Sequence, residues 1–404
     1  MGGGVMTMIA RRLEGSIREL MESRPAILIV GPRGAGKTTV LGNFGVGERT
    51  YAALSDEETR NLAEKEPDRF FERYPVPLII DEVQRSPVLV QALKEKIEKG
   101  RPGDFLLAAS WMTRELEELI PALSGKLEKL TLLPLSQAEL HGLEIPPFDP
   151  SAEMDGAPCS SDAVYKEIWT GAMPAVRSGE KARNVFYAEY ILKVIEEDMR
   201  KFVRLRNERK FLDFLMVLAA WDGQSVNFDG LAREAKVNTL TARKWVQVLE
   251  KLGHIYFLRP LLHPALKRAV RTPKLYFTDT GLVCYLRNRP SPASVMTGAM
   301  KDVLLENFAV NEIRKSYFYH GKVPPLSYYR DIDRKEIQVV FIGESTLYPV
   351  KILKTVHPAP GNGADFPVLD QTGIPRGKGT ILCLTIRKKE LGRNLTGLPV
   401  TVLG

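Results

Sequence analysis

The chain has 404 residues, 44% hydrophobic and 26% charged, with a formal net charge of +8 and an isoelectric point near 9.2; this length holds two or three domains with their own cores, and the charge admits nucleic acid or an anionic surface as a partner without showing one. Cys159, Cys284 and Cys383 lie far apart and the five histidines are scattered, which argues against a disulfide framework or a metal-ligand spacing. The N-terminal "MGGGVMTMIARR" lacks the apolar run of a signal peptide and, with Met6 in the sixth place, the Ser or Thr of a myristoylation signal; no stretch nears the roughly 18 apolar residues of a membrane span, so a cytoplasmic protein with no membrane partner is expected.

From Ala26 to about Leu140, apolar runs alternate with helical stretches. "AILIVG" reads as a short apolar strand, and "GKTTVLGNF" opens the helix behind it. "TYAAL" is a second strand and "PLIIDE" a third. "SPVLVQALKEKIEKG" predicts a helix from Ser86 to Gly100, with serine at its front and glycine at its back. "DFLLAAS" and "LEKLTLLPL" supply a fourth and fifth strand. Short apolar strands separated by helices predict an α/β fold with a parallel sheet buried on both faces.

The Pro/Gly/Ser-rich stretch 144–162 interrupts this rhythm as a linker or long surface loop, and a mostly helical segment follows as far as Lys210. From Phe211 the order is helix, helix, helix, strand, that of a winged helix-turn-helix. In "LTARKWVQVLEKLG", Ala242, Trp245, Val246, Leu249 and Leu252 share one helical face, and Arg243, Lys244, Gln247 and Lys251 share the other. The remainder mixes one helix, "KDVLLENFAVNEIRKS", with short strands and a Gly/Pro-rich loop. The expected domains are an α/β domain over 1–143, a linker and helical segment over 144–210, a winged helix over 211–272 and an α/β C-terminal domain over 273–404.

"GPRGAGKTT" fits G-x-x-x-x-G-K-[ST] between a strand and a helix, the setting that makes this motif a phosphate loop. Gly31, Pro32, Arg33, Gly34, Ala35, Gly36, Lys37, Thr38 and Thr39 are expected to wrap the phosphates of ATP. The glycines let the backbone curl so that successive N–H groups point inward, and the helix N-terminus adds partial positive charge. Lys37 would reach the β- and γ-phosphates, and the Thr38 hydroxyl would bind Mg²⁺. Asp81, ending the third strand, would hold the Mg²⁺ shell, and Glu82 would orient and polarise the attacking water; the structural alternative is that the two acids cap the next helix. Ser110, ending the fourth strand, either touches the γ-phosphate or the water, or starts a turn before the helix at Thr113. No guanine-reading [NT]-K-x-D tetrapeptide is present, so ATP is preferred over GTP.

These stretches, together with "LSGKLEKLTLLPLSQAEL", "PKLYFTDTGL" and "LLENFAVNEI", resemble a large bacterial and archaeal family that joins an AAA-superfamily ATPase to a C-terminal domain of unknown function. The resemblance runs over nearly the whole chain and implies a winged helix behind the ATPase core. Two positions depart from the family's pattern: Ala108-Ala109-Ser110 stands where Thr-Gly-Ser is usual, and Lys126 replaces an arginine, keeping the charge but losing the bidentate fork. The resemblance also implies a restriction-endonuclease-like C-terminal fold, in which a helical Glu, a strand Asp and a Glu-x-Lys gather Mg²⁺. Glu306 answers to the first, Gln338 and Pro349 stand at the two strand carboxylates, and Lys351 remains. One carboxylate and a lysine supply too few hard oxygen ligands for Mg²⁺, so this domain is expected to be inactive as a nuclease. Pro349 suits an edge strand or a strand's start, and Lys351 would contact a phosphate or an acidic partner, or snorkel to water.

The expected function is Mg²⁺-dependent ATP hydrolysis that switches the C-terminal domains around a protein or DNA partner. DNA would be met by the basic face of 241–251 and by the six basic residues of 199–210. The alternatives are a DNA-processing or defence enzyme with cooperating ATPase and nuclease modules, and a slow module that signals by its bound nucleotide. The oligomeric state is not legible in the sequence.

Overall fold

A computed structural model describes residues 9–45, 49–158, 160–205 and 207–404; Cys159, Arg206 and the N-terminal reading around Met6 lie outside them. The five expected strands are present as β1 (Ala26–Val30), β2 (Thr50–Ala53), β3 (Leu78–Asp81), β4 (Phe105–Ala109) and β5 (Leu127–Thr131). They form one parallel sheet of order β2-β3-β4-β1-β5. Side chains alternate across a strand. Ala26, Leu28, Leu78 and Ile80 therefore enter one core, and Ile27, Ile29 and Ile79 the other. Helices cover both faces, which is why every position of β1 to β4 that faces a core is apolar. The helix Pro87–Glu98 starts where the sequence marks it, with the Ser86 hydroxyl accepting from Leu89 N at 3.2 Å and Pro87 in the first turn.

Beyond β5, residues 143–160 hold no helix or strand among those described. The helices Ser161–Thr170 and Arg183–Lys193 follow, the second running into a π-helical turn, Val194–Met199. Next come the helices Glu208–Leu218, Phe228–Glu234 and Thr239–Lys251 and a small antiparallel sheet of β6 (Gln224–Ser225), β7 (Ile255–Leu258) and β8 (Lys274–Phe277). The five residues expected on the inner face of the third helix are all buried, and Arg243, Lys244, Gln247 and Lys251 are exposed. The pairing of β7 with β8 crosses the boundary expected at 272/273.

The C-terminal part is a mixed sheet of β9 (Leu326–Arg330), β10 (Glu336–Ile342), β11 (Leu347–Leu353), β12 (Gly379–Cys383), β13 (Lys389–Gly392) and β14 (Leu395–Pro399), in the order β13-β14-β12-β11-β10-β9. The long helix Lys301–Phe318 packs on its inner face, and Leu304, Leu305 and Phe308 share a core with Val350, Ile352 and Leu382. Pro349 sits near the start of β11, but that strand is interior, between β12 and β10. The edge-strand placement of Pro349 is thus corrected: the ladder with β12 begins only at Val350, so the missing N–H falls before it.

The constellation implied by the resemblance is not assembled. Val350 and Ile352 face the inner core, so Lys351 between them faces outward, opposite Ile381 of the outer core. There its ammonium meets Asp365 at 2.5 Å. Glu306 lies on the other face, where Lys274 Nζ donates to it and to Glu336, each at 2.5 Å. A shift of register between Ile337 and Val340 puts both into the outer core, where regular alternation would separate them. Lys274 is 2% exposed, so Lys274→Ala would leave the buried Glu306 carboxylate facing that of the half-buried Glu336 without the ammonium between them. The expected cost is about 3–5 kcal/mol, read as a fall in the urea midpoint.

Candidate active site

The phosphate loop leaves the C-terminal end of β1, between β4 and β5, where parallel sheets bind ligands. Gly34 and Gly36 have φ of +77° and +95°, a region closed to most side chains. A Cβ on Gly31 would lie 2.0 Å from the Leu132 carbonyl oxygen, so only glycine fits beside the end of β5. Lys37 is folded back into its own loop, donating to the carbonyls of Gly31 at 2.8 Å and Pro32 at 3.1 Å. Burial pushes its ammonium down to about 8, against the pull of Glu82 and Asp81. A bound phosphate would raise that value, so binding above pH 8 takes up a proton. ATP affinity is therefore expected to be insensitive to this group below about pH 8 and to fall above it, by up to about tenfold per pH unit, in titrations from pH 7 to 10.

The end of β3 carries the acids. The Thr38 hydroxyl donates to Asp81 Oδ2 at 2.7 Å, and the Tyr51 hydroxyl of β2 donates to the same oxygen at 3.0 Å. Burial and the Asp81 carboxylate push the Tyr51 phenol up, keeping its proton in place as a donor. Glu82 stands at φ +57°, a conformation rare for a residue with a side chain. Its carboxylate accepts from Ser110 Oγ and Gln84 Nε2, each at 2.6 Å. Glu82 makes no side-chain cap at the short helix after it, and Thr113, not Ser110, caps the helix Arg114–Ala122. Hydroxyl and carboxylate oxygens are the hard donors Mg²⁺ takes, and Thr38 and Asp81 already lie within hydrogen-bond reach of one another. That donor set fits the ion.

Contacts from outside the ATPase sheet enclose the loop. Asp198 takes Arg33 Nε and Nη2 at 2.8 Å each, and Glu197 takes Nη2 at 2.8 Å; these bonds raise the guanidinium further above its ordinary range. The turn at Gly34 lies against Tyr190 and Phe186, and Gly253 against Pro32. Arg11, buried, donates to the Ala35 carbonyl at 2.5 Å, to Leu133 O at 2.7 Å, to Tyr319 OH at 3.1 Å and to Glu139 at 3.0 Å. A cavity of about 310 Å³ opens between Ile9, Arg11, Gly36, Thr39 and Pro174. Lys126 lies at the opposite end of the sheet, donating to the Glu98 carbonyl, away from the phosphate loop of its own chain. Sequence reasoning missed Arg11, Tyr51, Gln84 and Asp198; Arg11, Tyr51 and Asp198 meet partners far away in the chain, whereas Gln84 donates to Glu82 two residues before it.

Residues 23–141 match the model of an AAA domain, and residues 161–293 match that of a domain of unknown function, DUF8612. Uncharacterized proteins of Mycobacterium tuberculosis and Mycobacterium bovis are each 27% identical over 285 residues, 69% of this chain; the chain spans 59% of their length. Among solved structures, a Walker-type ATPase of Pyrococcus abyssi aligns over 69% of this chain and 96% of its own at 12% identity and a TM-score of 0.44. A signal-transduction ATPase with a tetratricopeptide-repeat sensor from Pyrococcus horikoshii aligns over 78% of this chain and 48% of its own, at 12% identity and a TM-score of 0.25. The region that matches the AAA model holds β1 to β5, the phosphate loop and the acids behind it, and its five-stranded parallel sheet resembles a P-loop ATPase core.

Proposed function

We propose that this protein hydrolyses ATP with Mg²⁺ and passes the state of its phosphate loop to its C-terminal domains, which meet a protein or DNA partner. The carrying observation is the chain of contacts that begins at the Ala35 carbonyl. Arg11 joins it to Tyr319 at the end of the long helix. Three residues further on from Glu312, Lys315 donates to Leu135 O at 2.8 Å, and Glu312 accepts from Gln137 N at 2.8 Å. The same helix reaches Lys274, and through it Glu336 of β10, by way of Glu306. A rearrangement at Ala35 thus has hydrogen-bonded partners leading into the C-terminal sheet.

In this reading the loop amides and Lys37 bind the phosphates, and the cavity beside Arg11 takes the base. Thr38 and Asp81 would hold Mg²⁺, which would neutralise charge between the β- and γ-phosphates. Ser110 and Gln84 aim the Glu82 carboxylate at the attacking water, and Tyr51 steadies Asp81. The Thr239–Lys251 helix keeps its basic face exposed for DNA, read as a winged helix. In the segment 199–210, by contrast, Arg200 pairs with Glu208 and Arg209 with Asp213.

The test is phosphate release by the full chain with Mg-ATP, alone and with duplex DNA. Turnover that depends on Mg²⁺ supports the ATPase, and stimulation by DNA selects DNA as the partner. Bound but unhydrolysed ATP would favour the module that signals by its nucleotide state.

A further inference from the structure

The helix Arg183–Lys193 and the π-helical turn after it work on two faces. Phe186 and Tyr190, one turn apart, lie against Gly34 of the phosphate loop. Asn184, Ala188, Ile191, Leu192 and Ile195 follow helical spacing on the opposite side. There they line a groove of about 580 Å³, a size that takes a ligand or several side chains of a partner. Leu212 and Met216 of the helix Glu208–Leu218, with Tyr285 and Leu286 of the helix Thr280–Leu286, supply the rest of its apolar lining. Ile191, Ile195 and Leu286 are buried, whereas Leu192 is 54% and Met216 40% exposed, large apolar side chains left facing water. Every lining residue falls within 161–293, the stretch that matches a domain of unknown function.

The groove's charge is one-sided. Arg183 and Arg289 line it and no carboxylate does. The two meet at Trp169: Arg183 stacks 4.1 Å from its ring centroid, and the indole N–H donates to the Arg289 carbonyl at 2.8 Å. Arg183 donates to the carbonyls of Trp169 and Gly281 and to Asn184 Oδ1, all neutral acceptors. Among the described residues the Arg289 guanidinium has no hydrogen bond or ion pair, and its Nε is buried. Arg287 donates to Met216 O at 3.1 Å, and its Nε is likewise buried and unpartnered. The nearby acids are committed elsewhere. Asp279 accepts from Ala172 N, Tyr187 and Leu282 N, Glu189 pairs with Lys181, and Asp213 with Arg209. Glu196 is exposed and does not line the groove.

We propose that this groove docks a peptide segment of a protein partner, one that carries large apolar side chains and a carboxylate. The proposal rests on the reading above that nucleotide state reaches a partner, and it takes that partner to be a protein. The apolar side chains cover Ile191, Leu192 and Met216, and the carboxylate accepts from Arg289 and Arg287, giving the unpaired guanidiniums a charged acceptor. A nucleic acid would need cations spaced along its phosphates, whereas here they gather at one end of an apolar trough. The seat also explains how a partner could sense nucleotide: it lies on the outer face of the helix whose inner face rests on the phosphate loop.

The experiment selects random displayed peptides on the full chain without nucleotide, then measures the dissociation constant of one enriched peptide by fluorescence anisotropy. Enriched sequences are expected to combine two or more large apolar residues with Asp or Glu. Leu192→Glu is expected to weaken the peptide more than about tenfold, and Arg289→Ala about three- to tenfold. Both side chains lie outside the nucleotide site, so melting temperature and unstimulated ATP turnover should match wild type, which excludes misfolding as the cause. No enrichment over the Leu192→Glu chain would overturn the proposal, as would enriched peptides that are basic or uncharged, or wild-type affinity in either variant. Duplex DNA bound through Leu192 and Arg289 would overturn it in favour of nucleic acid. A chain that binds the peptide here yet binds no ATP would sink the ATPase reading and leave the groove standing, which separates the two failures.

Discussion

Replacing Glu82 by glutamine is expected to leave ATP binding within a few-fold of wild type and to slow turnover about 10²–10⁴-fold. Glutamine has the shape of glutamate, so the left-handed turn at φ +57° and the contacts to Ser110 and Gln84 retain a side chain of the right length. What is lost is the charge that accepts a proton from water. The Ser110 hydroxyl and the Gln84 amide both donate to this carboxylate, each at 2.6 Å, and so fix its direction. Equilibrium binding of a fluorescent ATP analogue and single-turnover phosphate release read the two quantities separately. Hydrolysis at the wild-type rate by Glu82→Gln would remove Glu82 as the base.

Lys37→Ala is expected to act on binding instead, weakening ATP about 10²–10⁴-fold, as the loss of charged hydrogen bonds to two phosphates requires. Lys37 is 5% exposed, and its ammonium donates to the Gly31 and Pro32 carbonyls of its own loop. Removing it relieves a desolvated charge, so the melting temperature of the nucleotide-free protein is expected to hold within a few degrees. That control separates a lost ligand from a lost fold. The binding defect should also erase the decline in affinity above pH 8, because the group that takes up the proton is gone.

The ATPase core was legible because its signals are local. "AILIVG" and "GKTT" adjoin in sequence, and a phosphate loop needs only that adjacency. The alternation of Ile27, Leu28 and Ile29 between two cores follows from the pleat of a strand. The same rule places Lys351 on the face opposite Val350, yet resemblance had grouped it with Glu306. The helix carrying Glu306 covers the other face, and only tertiary structure says which face a helix takes. Arg11 was opaque for a different reason. It contacts Ala35, Leu133, Glu139 and Tyr319, from 24 to 308 residues away, and no spacing rule reaches so far. Asp198 was hidden beside what reads as a solvated charge run, the usual fate of such segments. It accepts two hydrogen bonds from Arg33 of the phosphate loop.

The claim that the phosphate loop and the C-terminal sheet are coupled has one direct test. Amide hydrogen exchange is measured on the full chain, free and with a slowly hydrolysed ATP analogue and Mg²⁺. The coupling through Arg11 predicts altered exchange at 31–39 and, in the same sample, at 133–140 and along the helix Lys301–Phe318. Changes confined to the phosphate loop and the acids at 81–84, with 133–140 and that helix unmoved, would contradict it.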